Sequence, residues 1–564
     1  MKTIIKYVLA YGLWLMAYGL QAQNYEWQWA KHGGGSSAYY NEQGGDYWND
    51  NFEHIIDIAT DEDNNYYFLG TISHSNSHVD GNPVTTSTVG TSYSGENIII
   101  ASFTCNGVYR WSQTIRGGGG GLFSSMVLDN NGGIYISFRG SGNSNAPLCF
   151  SEEEDDCLPP SPPWGQGGEL VQEGHKRIFL LKYNAANGDL LWRKNYQGDV
   201  NIDNNSGIVF NLQIDSSNVL HTIIVLQEGI HLDGTLTVEL DEDETGKIYL
   251  VKFDTVTENF VGTPLQLPIE GEIGVSNAIF RYDESLNRYY LTSWGSSSNP
   301  PSFNGTTFQA SSTGNYNFFL SFNPNDLDDW WYKEITVSGD GTGGVNASSI
   351  TDITIDDNSD IYIAGKYFLI NPGNNNYTHF GEHTFENVTY SGHRPFVLKM
   401  NSQGVVQWSK IPDEQPAIIG GFFDISLNNN ELAVALTGRT VVWGNYSIAY
   451  PLNIAVPYLL RLDKQTGEAI GLYDISSNGG VHLLTAVTAD QDGNYVVGGA
   501  MRYSLFTDSP NGVAPLYNTS SSGVYTDFFM ARLAATECGT AVVSVDEHYK
   551  PQLRLYPNPT NGLV

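Results

Sequence analysis

Basic residues are scarce in this chain: 27 Lys and Arg stand against 61 Asp and Glu in 564 residues, for a net charge of -34. Nucleic acid and anionic membranes are thereby poor partners, because binding to either rests on Lys and Arg displacing counterions. Cysteine is nearly as scarce. Four residues cannot staple a scaffold of this size, so stability must come from buried cores. The linear signatures of common catalysts are missing too: no H-E-x-x-H, no G-x-S-x-G, no Walker-type phosphate loop and no zinc-finger Cys/His spacing. What the chain does have is 40% apolar and 13% aromatic residues with 61 Gly, too rich for disorder.

Only one long apolar run occurs, at the start. Lys2 and Lys6 precede YVLAYGLWLMAYGL, and LQAQ follows, the pattern of a secretory signal peptide over 1–22. The run is too short for a spanning helix and no later segment is long enough, so the expectation is an exported chain without membrane insertion. Export brings an oxidising compartment, in which Cys149 and Cys157 can close the acidic loop CFSEEEDDC as a disulfide or stay free; for Cys105 and Cys538 the sequence gives no sign that they meet.

From there to residue 545 one pattern recurs. HIIDIATDEDNNYYFLG, SSMVLDNNGGIYISFRG and ITDITIDDNSDIYIAG are among seven copies, with turn residues Asp61, Asp129, Asp215, Asp283, Asp356, Asn428 and Asp490. Period-two apolar alternation on both sides of an Asn/Asp/Gly turn predicts a hairpin. A second, often Trp-bearing hairpin follows each copy, as in NIIIASFTCNGVYRWSQTI and PFVLKMNSQGVVQWSKI, except that the seventh lacks its last strand. YEWQWAKHGG near the N-terminus supplies it, with Trp29 in the place of Trp111 and Trp408. The chain is therefore expected to be all-β: a seven-bladed β-propeller of four-stranded blades over 23–545, its last blade closed by the N-terminal strand, the alternative being an open array of sandwiches. The Trp residues at this strand position, including Trp192 and Trp331, fit packing between blades.

These repeats resemble bacterial secreted β-propeller repeats, which implies the fold and says little about activity. At the C-terminus, LRLYPNPTNGLV in 546–564 resembles the opening strand of the sorting domain of type IX secretion. That resemblance implies a truncated sorting domain, export to the cell surface or beyond, and the secretion machinery as a partner where the domain is complete.

In a four-stranded meander the short 1–2 and 3–4 turns share one face, and the 2–3 connections share the other with the links between blades. The long segments, roughly 72–96, 141–176, 295–316, 366–394, 439–457 and 500–526, all fall on that second face, where recognition is expected. Tyr39, Tyr40, Tyr47 and Trp48, set among Gly, Ser and Asn, suit stacking on a sugar or packing on a protein partner, or else merely cap the ring.

Four residues before each turn stand Asp57, Ser125, Asn211, Ile279, Asp352, Asp424 and Ala486, expected near the channel mouth on the long-loop face. Asp57, Asp352 and Asp424 are candidate ligands for Ca²⁺, candidate catalytic carboxylates of a hydrolase, or acceptors of backbone bonds from the next blade. The turn clusters TDEDNN, IDDNSD and ADQDGN lack EF-hand spacing and read as tight turns. Two functions follow: a secreted or surface module that binds a glycan, matrix component or protein without a cofactor, or a secreted polysaccharide hydrolase using carboxylates at the channel mouth.

Overall fold

The computed structural model describes residues 25–35, 53–73, 76–86, 97–116, 124–129, 131–140, 147–153, 156–158, 177–196, 208–241, 244, 246–271, 273–274, 278–308, 315–338, 348–369, 377–385, 392–413, 424–451, 454–508, 512–519 and 526–538. The expected signal peptide, the Tyr39, Tyr40, Tyr47 and Trp48 group and the 546–564 segment lie outside these residues.

The described part is an all-β propeller. Eight of its sheets contain three strands or more. Seven of these hold a four-stranded antiparallel meander, and the eighth joins Ile269–Glu270 to the hairpin Ser302–Phe303 and Thr306–Thr307. The first meander runs Ile55–Thr60, Tyr66–Ile72, Asn97–Phe103 and Tyr109–Ile115. The last runs Leu483–Ala489, Tyr495–Met501 and Asp527–Ala534, and its fourth strand is Glu26–Gly34. Register pairs Glu26 with Ala534, Lys31 with Met530 and Gly33 with Phe528, so the N-terminal strand completes the sheet as its Trp pattern requires. The innermost strands Leu483–Ala489 and Ile55–Thr60 pack against each other, closing the ring.

Cores form between neighbouring meanders, because strands with both faces covered carry near-continuous apolar runs. Tyr66–Ile72 and Asn97–Phe103 are buried throughout. Phe68 and Ile99 join Val496 and Met530 of the last meander, whereas Leu69 and Ile100 join Ile136 and Phe179 of the second.

The 2–3 connections differ from the expectation. In every meander this segment contains a small two-stranded hairpin, for example His78–Val79 with Asn82–Pro83, Tyr377–Phe380 with His383–Thr384, and Thr440–Trp443 with Tyr446–Ala449. These hairpins bond to the preceding meander: Val79 pairs with Gly33, Phe380 with Ile335, and Val442 O accepts from Asp413 N at 2.8 Å. Val79, Phe380 and Trp443 are buried in the seams they span. Burying one such side chain is worth about 1.5–3 kcal/mol, so these parts of the insertions fasten adjacent blades together rather than standing free. Asp80-Gly81, Asp233-Gly234 and Asn304-Gly305, all at positive φ, are the tight-turn dipeptides that build them.

All four cysteines are oxidised, Cys149 to Cys157 and Cys105 to Cys538, a pattern suited to an extracellular compartment. The second bond spans 433 residues and joins the first meander to the segment leaving the last.

Candidate functional site

The innermost strands carry the seven positions singled out above, and their polar members act between meanders. Asp57 Oδ2 accepts from Met126 N at 2.9 Å, Ser125 Oγ from Leu212 N at 2.7 Å and Asn211 Oδ1 from Phe280 N at 2.8 Å. Asp352 Oδ2 accepts from Ile425 N at 3.1 Å, and Asp424 Oδ2 from Val487 N at 2.7 Å. Each bond reaches the residue just after the equivalent position in the next meander. A register shift between Ile55 and Asp57, and another between Ile350 and Asp352, marks a bulge where a side chain is re-aimed out of the ladder. At Ile279, which has no polar atom to offer, Arg281 takes over: its Nε donates to Ile353 O at 2.5 Å and its Nη2 to Asp352 Oδ1 at 2.6 Å.

A cavity of about 510 Å³ lies at this ring. Asp57, Asp424 and Arg281 line it, together with Asp356, Asp357, Asn429 and Lys464. The last four belong to the short turns of the fifth and sixth meanders, so the cavity extends toward the short-turn face. Asp57 and Asp424 stand near the starts of the innermost strands Ile55–Thr60 and Asp424–Asn428, and the cavity reaches from them toward the turns. Asp352 is buried behind the lining. Burial pushes Asp57 up to about 6, against the pull of Arg281 and its two amide bonds. Burial, then the neighbouring Asp352 carboxylate to which it hydrogen-bonds, drives Asp424 well above the usual carboxylate range.

The metal reading of Asp57, Asp352 and Asp424 finds no support in this geometry. Their oxygens are occupied by backbone amides and Arg281, and among the described residues no group of three or more His, Cys, Asp or Glu is arranged to hold an ion. The turn clusters are tied up likewise. Oδ1 of Asp61, Asp129, Asp215, Asp356 and Asp490 each accepts two amides of its own turn.

Trp29, Trp111 and Trp408 donate Nε1 to Cys105 O, Ala185 O and Lys464 O of the neighbouring meander, as packing between blades requires. Arg281 and Lys464 are the site residues that the repeat pattern does not flag. Arg281 had a signal: it stands two residues after Ile279, and alternate strand residues share a face.

No protein-family model matches the chain, and no curated protein does. Solved structures match at low identity. A polysaccharide lyase of family PL25, an ulvan lyase bound to -[GlcA(1-4)Rha3S]-, is 10% identical, with 84% of this chain and 93% of that one covered at a TM-score of 0.39. The quinohemoprotein alcohol dehydrogenase ADHIIG of Pseudomonas putida HK5 is 11% identical, with 91% and 76% covered and a TM-score of 0.34. An intramolecular trans-sialidase from Ruminococcus gnavus is 8% identical, with 82% and 92% covered and a TM-score of 0.31. Most such neighbours act on carbohydrate, but likeness at this level carries no argument about chemistry.

Proposed function

We propose that the chain is an extracellular or cell-surface propeller that cleaves a polysaccharide in its central cavity, with Asp424 as proton donor and Asp57 as its ionised partner. The seven four-stranded meanders are taken as the blades and the three-stranded sheet as an insertion between two of them. One observation carries the reading: of the four carboxylates that line the cavity, two stand in environments that set them apart, Asp57 at about 6 and Asp424 well above its ordinary value. Two carboxyl groups differing in this way are what acid-assisted glycoside cleavage uses, one protonated and one charged above pH 6.

Non-catalytic binding of a glycan or surface protein is the second reading, and the backbone amides on both carboxylates favour it, since they hold the groups in structural bonds. Release of reducing ends from a panel of polysaccharides, run beside a glycan array, separates the two. Asp424→Asn is expected to lower turnover by about 100-fold or more while binding and the unfolding midpoint persist. Binding by the unaltered chain without turnover supports the second reading. Neither binding nor turnover removes both.

A further inference from the structure

Away from the channel, the seam between the last and first meanders brings together two carboxylates that the proposed reaction does not use. Glu53 precedes the strand Ile55–Thr60, and Asp527 opens the strand Asp527–Ala534. Both are fully buried. Gly34, at the end of the N-terminal strand, lies between them: the point where a Cβ would stand is 2.4 Å from Glu53 Oε2 and 2.6 Å from Asp527 Oδ1, which makes the two carboxylates close neighbours.

Their partners do not balance the charge. Glu53 accepts Gly35 N at 3.1 Å and Ser73 N at 2.5 Å. Asp527 Oδ2 takes Thr519 N at 2.7 Å and Thr519 Oγ1 at 2.8 Å, with His32 Nδ1 at 3.5 Å. Asp527 Oδ1, turned toward Glu53, has no hydrogen-bond partner, and the buried Ser73 hydroxyl makes no well-formed bond. Lys31, the cation next along the strand, is paired with Asp80 at 2.8 Å. Among the described residues no Lys or Arg forms an ion pair with Glu53 or Asp527. Two adjacent buried carboxylates with no Lys or Arg paired to them cost several kcal/mol, and an unpartnered oxygen between them adds to that.

We infer that this seam binds one Ca²⁺, held by Glu53 and Asp527 with the Ser73 hydroxyl and waters. Oxygen donors of mixed type around an irregular gap suit Ca²⁺, which accepts six to eight ligands in flexible geometry. The ion ties together the end of the N-terminal strand, the last meander and the first meander. It thus acts on ring closure, independently of any chemistry in the channel.

The test uses the full chain, stripped with EDTA, desalted and titrated with CaCl₂ at constant ionic strength. Calorimetry is expected to show one Ca²⁺ per chain, and saturation to raise the unfolding midpoint by about 2–4 °C. Glu53→Gln and Asp527→Asn are expected to lose that rise, whereas Asp424→Asn in the channel retains it. Absence of calorimetric binding by the unaltered chain overturns the inference and leaves a proton shared by the two carboxyls; this measurement does not depend on the variants folding. A Ca²⁺ rise preserved in both seam variants, or matched by MgCl₂, overturns it as well.

Discussion

Gly188 lies against the indole of Trp111 from the neighbouring meander: a Cβ at that glycine would stand 2.5 Å from the ring, and Trp111 Nε1 donates to Ala185 O of the same turn at 3.1 Å. Gly107 meets Trp29, Gly404 meets Trp331 and Gly467 meets Trp408 in the same way. The outermost Trp of one blade is thus roofed by the 3–4 turn of the next, and the glycine is required by contact as much as by backbone angle.

Two alanine substitutions separate those requirements. Gly188 has φ 80 and the ring beside it, whereas Gly132 has φ 79 with nothing within 4 Å. Gly132→Ala is expected to cost about 1 kcal/mol for the left-handed backbone alone, and Gly188→Ala about 2–4 kcal/mol once the displaced indole is included. Urea unfolding of both variants measures the difference. Equal losses would show that the turn does not bear on Trp111.

The same contact shows what was legible in the sequence and what was not. Trp29, Trp111 and Trp408 recur at one position of an alternating strand, so the placement of the N-terminal strand beside Asp527–Ala534 follows from local pattern. The turn aspartates are equally local, since Asp61 satisfies amides only two and four residues on. The insertion hairpins turn at Asp80-Gly81 and Asn304-Gly305 inside segments read from the sequence only as long loops, and their burial depends on the preceding blade, which no local rule announces. The channel is harder still. Asp57 and Asp424 meet because a ring closes, and Arg281 joins them from the strand of Ile279, whose side chain cannot accept an amide of the next blade; Arg281 donates to the Ile353 carbonyl there instead. The pairing of Cys105 with Cys538 has the same origin.

Glu334 gives the fold a dependence on pH whose sign is unusual. It lies in the strand Asp326–Ser338 with Oε1 unpartnered, and burial pushes its carboxyl from 4.5 up to about 7. A carboxyl raised on folding contributes stability that is complete below its unfolded pKa and disappears as pH rises through the folded value. The unaltered chain should therefore lose stability between about pH 4.5 and 7 on this account. Glu334→Gln removes the ionisation. Its unfolding free energy relative to the unaltered chain should improve by on the order of 2 kcal/mol between pH 5 and pH 8. A difference that does not vary with pH would mean that the carboxyl is hydrated in the folded state.

The two disulfides should contribute unequally because they close loops of very different size. Cys149 and Cys157 are 8 residues apart, whereas Cys105 and Cys538 are 433 apart and join the first blade to the chain leaving the last. Cross-linking restricts the unfolded chain more as the loop grows, so removing the long-range bond by Cys105→Ala with Cys538→Ala should cost about 4–5 kcal/mol, and removing the local one about half that. The seam it guards also depends on the buried Arg532, which donates to Tyr66 Oη at 2.9 Å, while Tyr66 Oη donates to Asp490 Oδ2 at 3.0 Å. These bonds cross the same join, so the long-range variant should remain folded but release its N-terminal strand first. Limited trypsin digestion reads this directly, as earlier cleavage after Lys31 than in the variant lacking Cys149 and Cys157. Equal destabilisation, or cleavage elsewhere first, would show that the sheet alone holds the ring shut and that the bond adds nothing to closure.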